Sequence, residues 1–377
     1  MKWNFSRAAY VAAIGLGLIA GFPVDAQSPR PPLLESPVVH SDRTVTFRVR
    51  ATNAQNVELS GQFQKGNQPM ARDTNGVWSI TVGPIEPNLY PYHFVIDGVG
   101  VADSANQDLF PNERFKSSLV DIPGDTPSLH SIQEVPHGQL TYAFYPSKTL
   151  GRTRPLIVYT PPGYRKGGAR YPVLYLVSGT TDTEETWFKV GRANFILDNL
   201  IAQRKAVPMI LVMPYGNMMM GTPMPNSPQA ADMYQVFSNE LTRDIMPYVE
   251  GNYRVLRDRE KRAIAGFSRG GGQSLFTGFQ HLDQFAWIGS YSAYLTPEVF
   301  GKYFAEAASH AGATNKKLKL LWLGVGRTDF LYPQAVAFDD YLKGKGIAHR
   351  SLITEGGHTW MNARHYLAET LQLYFQP

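Results

Sequence analysis

The sequence predicts an α/β protein: a parallel sheet with helices on both faces, preceded by a small antiparallel β-sandwich. In residues 38–122, apolar and polar residues alternate in short runs separated by turn signals, which is typical of antiparallel strands with one buried face. After residue 135, continuous apolar runs such as 171–177 and 209–213 alternate with stretches of helical periodicity such as 193–204. Strands that are apolar throughout are buried on both faces, so helices must cover both sides of their sheet.

Composition narrows the class of protein. The chain has 377 residues, 43% of them hydrophobic and 18% charged, which suits two domains with a sizeable core. The net charge of +5 is spread along the chain without a Lys/Arg block, so no nucleic-acid partner is expected. The absence of cysteine excludes disulfides, a thiol nucleophile and thiolate metal sites. No metal-ligand spacing and no glycine-rich phosphate loop is evident, and no cofactor is expected.

The first 26 residues have the pattern of a signal peptide. Lys2 and Arg7 give a positive start, residues 8–22 are apolar, and small residues precede a cleavage site before Gln27. A membrane anchor is the alternative, but the apolar run is short and rich in Gly and Ala. The mature protein is therefore expected to be periplasmic or secreted and free of the membrane.

The rest of the chain divides into four predicted segments. A proline-rich leader covers residues 27–37, and the β-sandwich covers residues 38–122. A linker rich in Pro and Gly covers residues 123–134, and the parallel-sheet domain covers residues 135–377.

A Gly-x-Ser-x-Gly motif lies between a predicted strand and a predicted helix, within residues 263–272. Side chains two positions before and after Ser268 would collide in so sharp a turn, and Gly266 and Gly270 remove them. The hydroxyl of Ser268 would then project beyond the sheet edge, with the backbone N–H of Arg269 directed at a developing negative charge. An incidental serine in a glycine-rich turn is the alternative, but the strand–turn–helix context favours a nucleophile.

A serine nucleophile needs a base and an acidic group that orients the base, and in this kind of sheet they follow in the chain order serine, acid, histidine. Residues 323–330 run from an apolar strand into a loop that carries Asp329, which is the predicted acid. Asp339 and Asp340 compete, but they lie inside the next helical stretch. The alternative role of Asp329 is to cap the helix that begins near Tyr332.

His358 is the predicted base. It follows the strand that ends at Thr354 and two glycines, and it comes just before the last helix. The rival histidines fit less well, because His349 begins a strand and His365 lies within a helix.

The negative charge on a tetrahedral intermediate requires two N–H donors. The backbone N–H of Arg269 is one candidate, and the other is expected from the loop after the strand at residues 173–177. We assign it to the N–H of Thr180, with Gly179 as the close alternative.

Three side chains are candidates for contact with substrate. Met218 belongs to a loop, residues 216–225, with four methionines and two prolines, which suits either an adaptable lip around an apolar acyl group or a mobile surface loop. Trp187 and Trp360 are expected near the mouth of the site, where Trp187 would stack on a ring or pack the loop.

With these residues in view, residues 135–377 resemble the esterase family that contains feruloyl and acetylxylan esterases, which implies an α/β-hydrolase fold. The resemblance implies hydrolysis of esters attached to plant cell-wall polysaccharide. The stretches that carry it are residues 159–164, 172–176, 244–250, 265–271 and 356–360.

Two departures from this family lie beside the oxyanion site. The family usually has His-Gly-Gly after the third strand, where this chain has Ser178, Gly179 and Thr180. It usually has methionine after the serine, where this chain has Arg269. A cation at this position would either favour an acidic substrate or pair with a nearby carboxylate.

The leading segment resembles the early-set immunoglobulin-like modules found with carbohydrate-active enzymes, through residues 57–63, 76–79 and 90–98. In such modules exposed aromatic rings stack on sugars. The alternation around Trp78 and Tyr92 instead favours buried core positions for these two rings.

Together these observations predict a secreted serine esterase that releases feruloyl or acetyl groups through an acyl-enzyme on Ser268. Its partner would be a small or polysaccharide-linked ester, with carbohydrate contact through the leading module left open. A siderophore esterase of the enterochelin type and an acyltransferase are alternatives on the same fold. A carbohydrate-binding protein with an inactive hydrolase domain is the alternative from another class.

Overall fold

The computed structural model describes residues 33–218 and 230–376. The predicted signal peptide, the leader as far as residue 32, and the predicted lip from residue 219 onward lie outside these residues. Within the described ranges, no helix has the length and apolar character needed to cross a bilayer.

The alternating residues at the start of the described chain form two antiparallel sheets around one core. Their orders are β1-β2-β6-β5 and β4-β3-β7-β10-β9, with β8 paired to β7. Trp78 and Tyr92 are 8% and 1% exposed within that core, so the prediction that they are core residues is confirmed. The strands are Val38–Val39 (β1), Val45–Arg50 (β2), Val57–Gly61 (β3), Gln68–Pro69 (β4), Ala71–Arg72 (β5), Val77–Val82 (β6), Asn88–Ile96 (β7), Val99–Val101 (β8), Leu109–Phe110 (β9) and Ser117–Ile122 (β10).

The continuous apolar runs form one eight-stranded sheet with the order β11-β12-β14-β13-β15-β16-β17-β18. From β14 to β18 neighbouring strands are parallel, whereas β11 and β12 pair antiparallel to their neighbours. The predicted parallel sheet is therefore mixed at one edge. The strands are Gln139–Ser147 (β11), Arg152–Thr160 (β12), Val173–Val177 (β13), Ile210–Pro214 (β14), Arg262–Phe267 (β15), Trp287–Tyr291 (β16), Leu320–Gly326 (β17) and Arg350–Thr354 (β18).

Helices cover both faces of this sheet, as predicted. Side chains from α2 and α10 join the core on one face, and side chains from α3, α5 and α9 join the core on the other. The helices are Thr186–Lys189 (α1), Ala193–Ala202 (α2), Ala230–Glu240 (α3), Met246–Asn252 (α4), Arg269–Gln280 (α5), Pro297–Tyr303 (α6), Ala305–Ser309 (α7), Ala311–Lys317 (α8), Tyr332–Lys345 (α9) and Trp360–Leu371 (α10), with a π-helical segment at Leu241–Ile245 and 3₁₀ turns at Tyr164–Lys166 and Arg259–Lys261.

Strand β13 shows why the apolar runs are continuous. Leu174 and Leu176 point into the core beneath α2 and α10, while Val173, Tyr175 and Val177 point into the core beneath α3 and α5. Because side chains alternate between the two faces of a strand, a strand with both faces covered must be apolar at every position.

Two stretches differ from expectation. The periodicity of residues 233–250 predicts one helix, but the π-helical segment Leu241–Ile245 separates α3 from α4. Pro247 explains the change, because its ring displaces the carbonyl four residues earlier and it has no N–H to donate. The short helices between residues 297 and 317 were not predicted, since their apolar positions are too few to give a clear helical period.

The leading module packs directly on the sheet domain. Arg364 on α10 is 3% exposed and donates to the carbonyl oxygens of Val190 at 2.7 Å and Leu89 at 2.6 Å. The predicted linker follows the surface of α2, where Asn199 donates to the carbonyl oxygen of Leu129 at 2.8 Å. The chain from Leu34 onward forms one compact unit.

Candidate active site

Ser268 occupies the sharp turn between β15 and α5. Its backbone has φ 55° and ψ −126°, outside the regions that most residues adopt. A Cβ on Gly266 would lie 2.4 Å from the carbonyl carbon of Gly270, and a Cβ on Gly270 would lie 2.3 Å from the carbonyl oxygen of Val177. Only glycine fits at either position. The predicted collision across the turn applies to Gly266, whereas Gly270 must be glycine because the end of β13 passes close to it.

Three side chains form a hydrogen-bonded chain at the carboxyl edge of the sheet. The Nε2 of His358 lies 2.8 Å from the Oγ of Ser268, and its Nδ1 lies 2.9 Å from the Oδ2 of Asp329. Ser268 is partly exposed, so a substrate can reach it. In this arrangement the imidazole can take the hydroxyl proton while the carboxylate holds the ring in orientation. The structure thus brings together the three residues that the sequence assigned to the triad.

Asp329 is held as an anion. Burial acts to raise the pKa of this carboxyl, but hydrogen bonds from His358 and from the backbone N–H of Leu331 outweigh it and leave the pKa below its usual value. The Leu331 N–H lies 2.8 Å from Oδ1. Asp329 therefore contacts both His358 and the N–H of Leu331, but the helix that begins at Tyr332 has Leu331 at its N-cap and no side-chain cap, so the helix-capping alternative is not observed.

The oxyanion turn, residues 178–182, lies against the nucleophile. A Cβ on Gly179 would approach the Cβ of Ser268 to 3.4 Å. The N–H of Gly179 donates to the Oδ2 of Asp182 at 3.0 Å, so it is committed to that carboxylate. Thr180 is exposed, and within the described part of the chain no acceptor contacts its N–H. Of the two predicted alternatives, the N–H of Gly179 is thus engaged within the protein, and the N–H of Arg269 lies at the first position of α5.

Asp182 was not predicted as part of the site. It is 4% exposed, and burial raises the pKa of its carboxyl to about 7 despite the hydrogen bond from Gly179 and the nearby charge of Arg269. Its other oxygen accepts from the Nδ2 of Asn112 at 3.3 Å. The neighbouring N–H of Glu113 donates to the carbonyl oxygen of Thr181 at 2.8 Å. Two residues just after β9 thus brace the oxyanion turn.

The side chain of Arg269 lies inside the protein. The residue is 8% exposed, and its Nη2 donates to the carbonyl oxygen of Gly179 at 3.0 Å. Burial lowers the pKa of this guanidinium, while the charges of Asp182 and Glu113 oppose that shift. Of the two roles expected for this cation, a location near carboxylates fits the structure better than direct contact with an acidic substrate.

The three predicted substrate contacts are buried instead. Trp187 is 1% exposed and packs edge-on against Trp360, which is 4% exposed, with ring centroids 4.8 Å apart. Met218 is 2% exposed and packs in the core. None of these side chains presents a surface to substrate in this structure, because packing of the core turns each of them inward.

An exposed aromatic ring beside the histidine was missed. Phe330 is 69% exposed, and its ring centroid lies 4.6 Å from that of His358. The ring of Phe267 also stacks on the imidazole of His358, with ring centroids 4.8 Å apart. Its position directly after Asp329 indicated that Phe330 would lie near the site. A single aromatic residue in a loop, however, has no periodicity from which its exposure could be predicted.

Buried polar contacts hold Asn217, two residues before the described chain is interrupted at residue 219. Arg154 and Glu240 form an ion pair at 3.1 Å with neither side chain exposed. Arg154 also donates to the carbonyl oxygen of Asn217 at 2.9 Å. The Nδ2 of Asn217 in turn lies 2.8 Å from a carboxylate oxygen of Glu113. These contacts therefore link Glu240 of the sheet domain, through Arg154 and Asn217, to Glu113 in the segment after β9.

Comparison with protein families places both parts of the chain. The family described as "Putative esterase" matches residues 147–373. The family described as "Carbohydrate-binding module 48 (Isoamylase N-terminal domain)" matches residues 36–110. The resemblances inferred from the sequence are confirmed for the sheet domain and for a leading module of the kind found with carbohydrate-active enzymes.

A curated relative shares most of this chain. The "Endo-1,4-beta-xylanase/feruloyl esterase" of Xylanibacter ruminicola is 29% identical over 355 residues, covering 91% of this chain. The matched region is 46% of that protein, so this chain spans about half of its relative's length.

Solved structures share the fold. A ferulic acid esterase from Anaeromyces mucronatus, in complex with ferulic acid, superposes with a TM-score of 0.56 at 24% identity, covering 66% of this chain and 94% of that one. The enterobactin esterase from Shigella flexneri superposes with a TM-score of 0.63 at 18% identity, covering 89% of this chain and 93% of that one. These likenesses confirm the predicted α/β-hydrolase fold with its leading β-module.

Proposed function

The chain belongs to the putative esterase family, and from this premise we propose that it is a serine carboxylic-ester hydrolase acting through Ser268, His358 and Asp329. One observation carries the proposal: a single imidazole contacts the serine hydroxyl at 2.8 Å and the buried carboxylate at 2.9 Å. Such a chain is the arrangement that acyl transfer from an ester to a serine requires.

In the first half-reaction His358 takes the proton of Ser268 as the Oγ forms a bond to the ester carbonyl carbon. The carbonyl π electrons move to oxygen, and the N–H groups of Arg269 and Thr180 donate to that oxyanion. When the oxyanion collapses, the carbon–alkoxy bond breaks and His358 gives its proton to the leaving alcohol. Water then attacks the acyl-enzyme with the same base, and the acid is released with Ser268 regenerated.

The proposed substrate is a plant cell-wall polysaccharide that carries an ester-linked acyl group, either an aromatic one such as feruloyl or an acetyl group. The curated relative named as a feruloyl esterase supports an aromatic acid, since it matches 91% of this chain. The exposed ring of Phe330, 4.6 Å from the ring of His358, would contact an aromatic acyl group held at the serine.

Carbohydrate contact is proposed for a groove on the leading module. The groove has a volume of about 830 Å³ and is lined in part by Gln62, Gln64, Asn67 and the partly exposed ring of Phe115. Amide side chains beside an exposed ring suit a sugar, whose hydroxyls take hydrogen bonds and whose apolar face stacks on an aromatic ring. The match to a carbohydrate-binding module family supports this use of the groove.

Export is proposed from the residue pattern at positions 1–26 described above. Expression with these residues and N-terminal sequencing of the mature protein test it, because cleavage before Gln27 is expected and an intact N-terminus would contradict it.

A fluorophosphonate probe tests the proposed chemistry. The folded protein should form an adduct, and peptide mapping should place it on Ser268. Absence of an adduct, together with no hydrolysis of aryl esters, would remove the enzyme hypothesis and leave the carbohydrate-binding alternative.

Two further assays separate the alternatives on this fold. Products formed with and without an added alcohol distinguish hydrolysis from acyl transfer, and only transfer would yield a new ester. Methyl ferulate, acetylated xylan and a catechol-type siderophore ester, assayed side by side, rank the acyl groups, and preference for the siderophore ester would contradict the proposed substrate.

A further inference from the structure

The carbonyl oxygen of Gly179 is held by two donors. The Nη2 of Arg269 lies 3.0 Å from it, and the N–H of Asp182 closes the turn onto it at 3.4 Å. The shorter contact comes from a charged guanidinium inside the protein, and such hydrogen bonds are stronger than neutral ones. The carbonyl therefore has little freedom to rotate.

Fixing this carbonyl also fixes the N–H of Thr180. The carbonyl of one residue and the N–H of the next belong to the same planar peptide group, and the bond between Gly179 and Thr180 is trans. In a trans peptide the C=O and the N–H point in opposite directions. A guanidinium that holds the oxygen thus keeps the Thr180 N–H directed away from that guanidinium.

The same turn also contains an unfavourable backbone conformation at the next residue but one after Gly179. Thr181 has φ 63°, a left-handed conformation that is unfavourable for a β-branched residue. Rotation of the Gly179–Thr180 peptide group, which changes ψ of Gly179 and φ of Thr180, would redirect the N–H of Thr180. Asp182 restrains the preceding peptide through the N–H of Gly179, at 3.0 Å, but does not contact the Thr180 N–H.

We propose that the side chain of Arg269 is a positioning residue for the oxyanion site: by holding the Gly179 carbonyl it orients the N–H of Thr180, while its own backbone supplies the second N–H. This inference rests on the proposed function and deepens it. One residue thereby aligns both donors, and the guanidinium acts through the peptide group without touching the substrate.

Burial separates this role from recognition of an acidic substrate. The residue is 8% exposed and its guanidinium faces a backbone carbonyl near Asp182 and Glu113. An anionic ester group would have to enter the protein to reach it. Removal of the guanidinium should therefore lower the rate for neutral and anionic esters alike.

The test uses Arg269→Met, with activity expressed per active site titrated by a fluorophosphonate. The kcat for a neutral aryl ester is expected to fall about 10- to 100-fold, with KM changed less than about threefold, because an oxyanion donor acts mainly in the transition state. Affinity for an arylboronic acid, which forms a tetrahedral adduct on the serine, should fall by a similar factor. Arg269→Ala should regain part of its kcat when guanidinium ion is added at concentrations that do not unfold the protein.

Arg364→Ala is the matched control. Arg364 is also buried and also donates to backbone carbonyls, those of Val190 and Leu89, but it lies at the module interface. It should lose stability while kcat per titrated site stays at the wild-type value, with no rescue by guanidinium.

The possible outcomes separate failure of the proposed esterase function from failure of the positioning role of Arg269. A wild-type protein that neither labels nor hydrolyses esters would refute the proposed function. A wild-type protein that labels, together with an Arg269→Met variant that keeps wild-type kcat and boronate affinity per titrated site, would refute only the positioning role. If Arg269→Met does not fold, Arg269→Lys replaces it as the test, since lysine keeps a charge and a donor but lacks the forked donors of the guanidinium. This variant should show the same losses of kcat and boronate affinity to a smaller degree. A wild-type kcat in Arg269→Lys would count against the positioning role.

Discussion

The Nδ2 of Asn112 lies 3.3 Å from the Oδ1 of Asp182, although the two residues are 70 positions apart in the chain. Asn112 follows β9 of the leading module region, and Asp182 closes the turn in which Gly179 lies against Ser268. The module side of the chain therefore braces the oxyanion turn.

Asp182→Asn tests this brace through the pH dependence of stability. The folded pKa of Asp182 is raised to about 7, from an ordinary value of 3.8. Between these values the folded state binds more protons than the unfolded state, so this group makes the protein less stable as pH rises from about 4 to 7. The variant lacks this titration, and the difference in Tm between wild type and variant should decline across that window.

This difference is measured by thermal unfolding of both proteins at pH 4.5, 5.5, 6.5 and 7.5. The ionic strength is kept at about 0.1 M at every pH. Because asparagine has an NH2 group in place of one of the two carboxylate oxygens that accept from Gly179 and Asn112, the variant loses one of these contacts and should also lose kcat. A pH-independent difference in Tm would contradict a raised pKa at this carboxyl.

Ser268→Ala should abolish turnover of aryl esters. The hydroxyl that the imidazole contacts at 2.8 Å is removed, and loss of a catalytic serine typically costs at least about 10⁴-fold in kcat. Circular dichroism and Tm should stay close to the wild-type values, since no packing is lost. Ser309→Ala, which removes an exposed helical hydroxyl, serves as the control, and residual wild-type activity in Ser268→Ala would rule out the assignment.

Phe330→Ala should change acyl preference. If the exposed ring contacts aromatic acyl groups, kcat/KM for methyl ferulate should fall roughly three- to tenfold relative to an aryl acetate, the size expected for one aromatic contact. Phe144→Ala removes a similarly exposed ring from the edge strand β11 and should leave the ratio unchanged. An equal fall for both esters would point to a disturbed His358 and against a substrate contact.

Arg364→Ala should weaken the union of module and esterase domain. Its guanidinium bridges Val190 and Leu89, and burial lowers its pKa to about 9 without removing the charge at neutral pH. Loss of these charged hydrogen bonds should reduce the free energy of unfolding by roughly 2–4 kcal/mol. Calorimetry should show a lower Tm, and Arg327→Ala, at a pair with both side chains more than half exposed, should leave Tm nearly unchanged. An unaltered Tm in Arg364→Ala would show that other contacts hold the module.

Much of the fold follows from local patterns. Strands buried on both faces are apolar at every position, so β13 to β17 could be located from the sequence within two or three residues. The Gly-x-Ser-x-Gly turn is specified in part by the close approach of Gly266 to Gly270, four residues apart, whereas the need for glycine at position 270 also comes from Val177 on β13. Asp329 and His358 could be named because parallel strands bring their carboxyl ends to one edge in a fixed chain order.

Side-chain direction was harder to predict. Trp187 and Trp360 lie near the site in the chain, yet their rings pack against each other at 4.8 Å in the core. Phe330 has the opposite fate and faces solvent beside His358. Whether a large apolar ring in a loop faces the core or the substrate depends on what other segments place around it, and no period in the sequence records that.

By itself the sequence determined the class of fold, the strained serine turn and the three residues with the chemistry for acyl transfer, because each depends on neighbours in the chain or on the order of strands. Only the tertiary structure decided that Asn112 and Asp182 meet, that the guanidinium of Arg269 holds the Gly179 carbonyl, and that the predicted tryptophan contacts are buried. These contacts join segments tens of residues apart, and their geometry exists only once the core has packed.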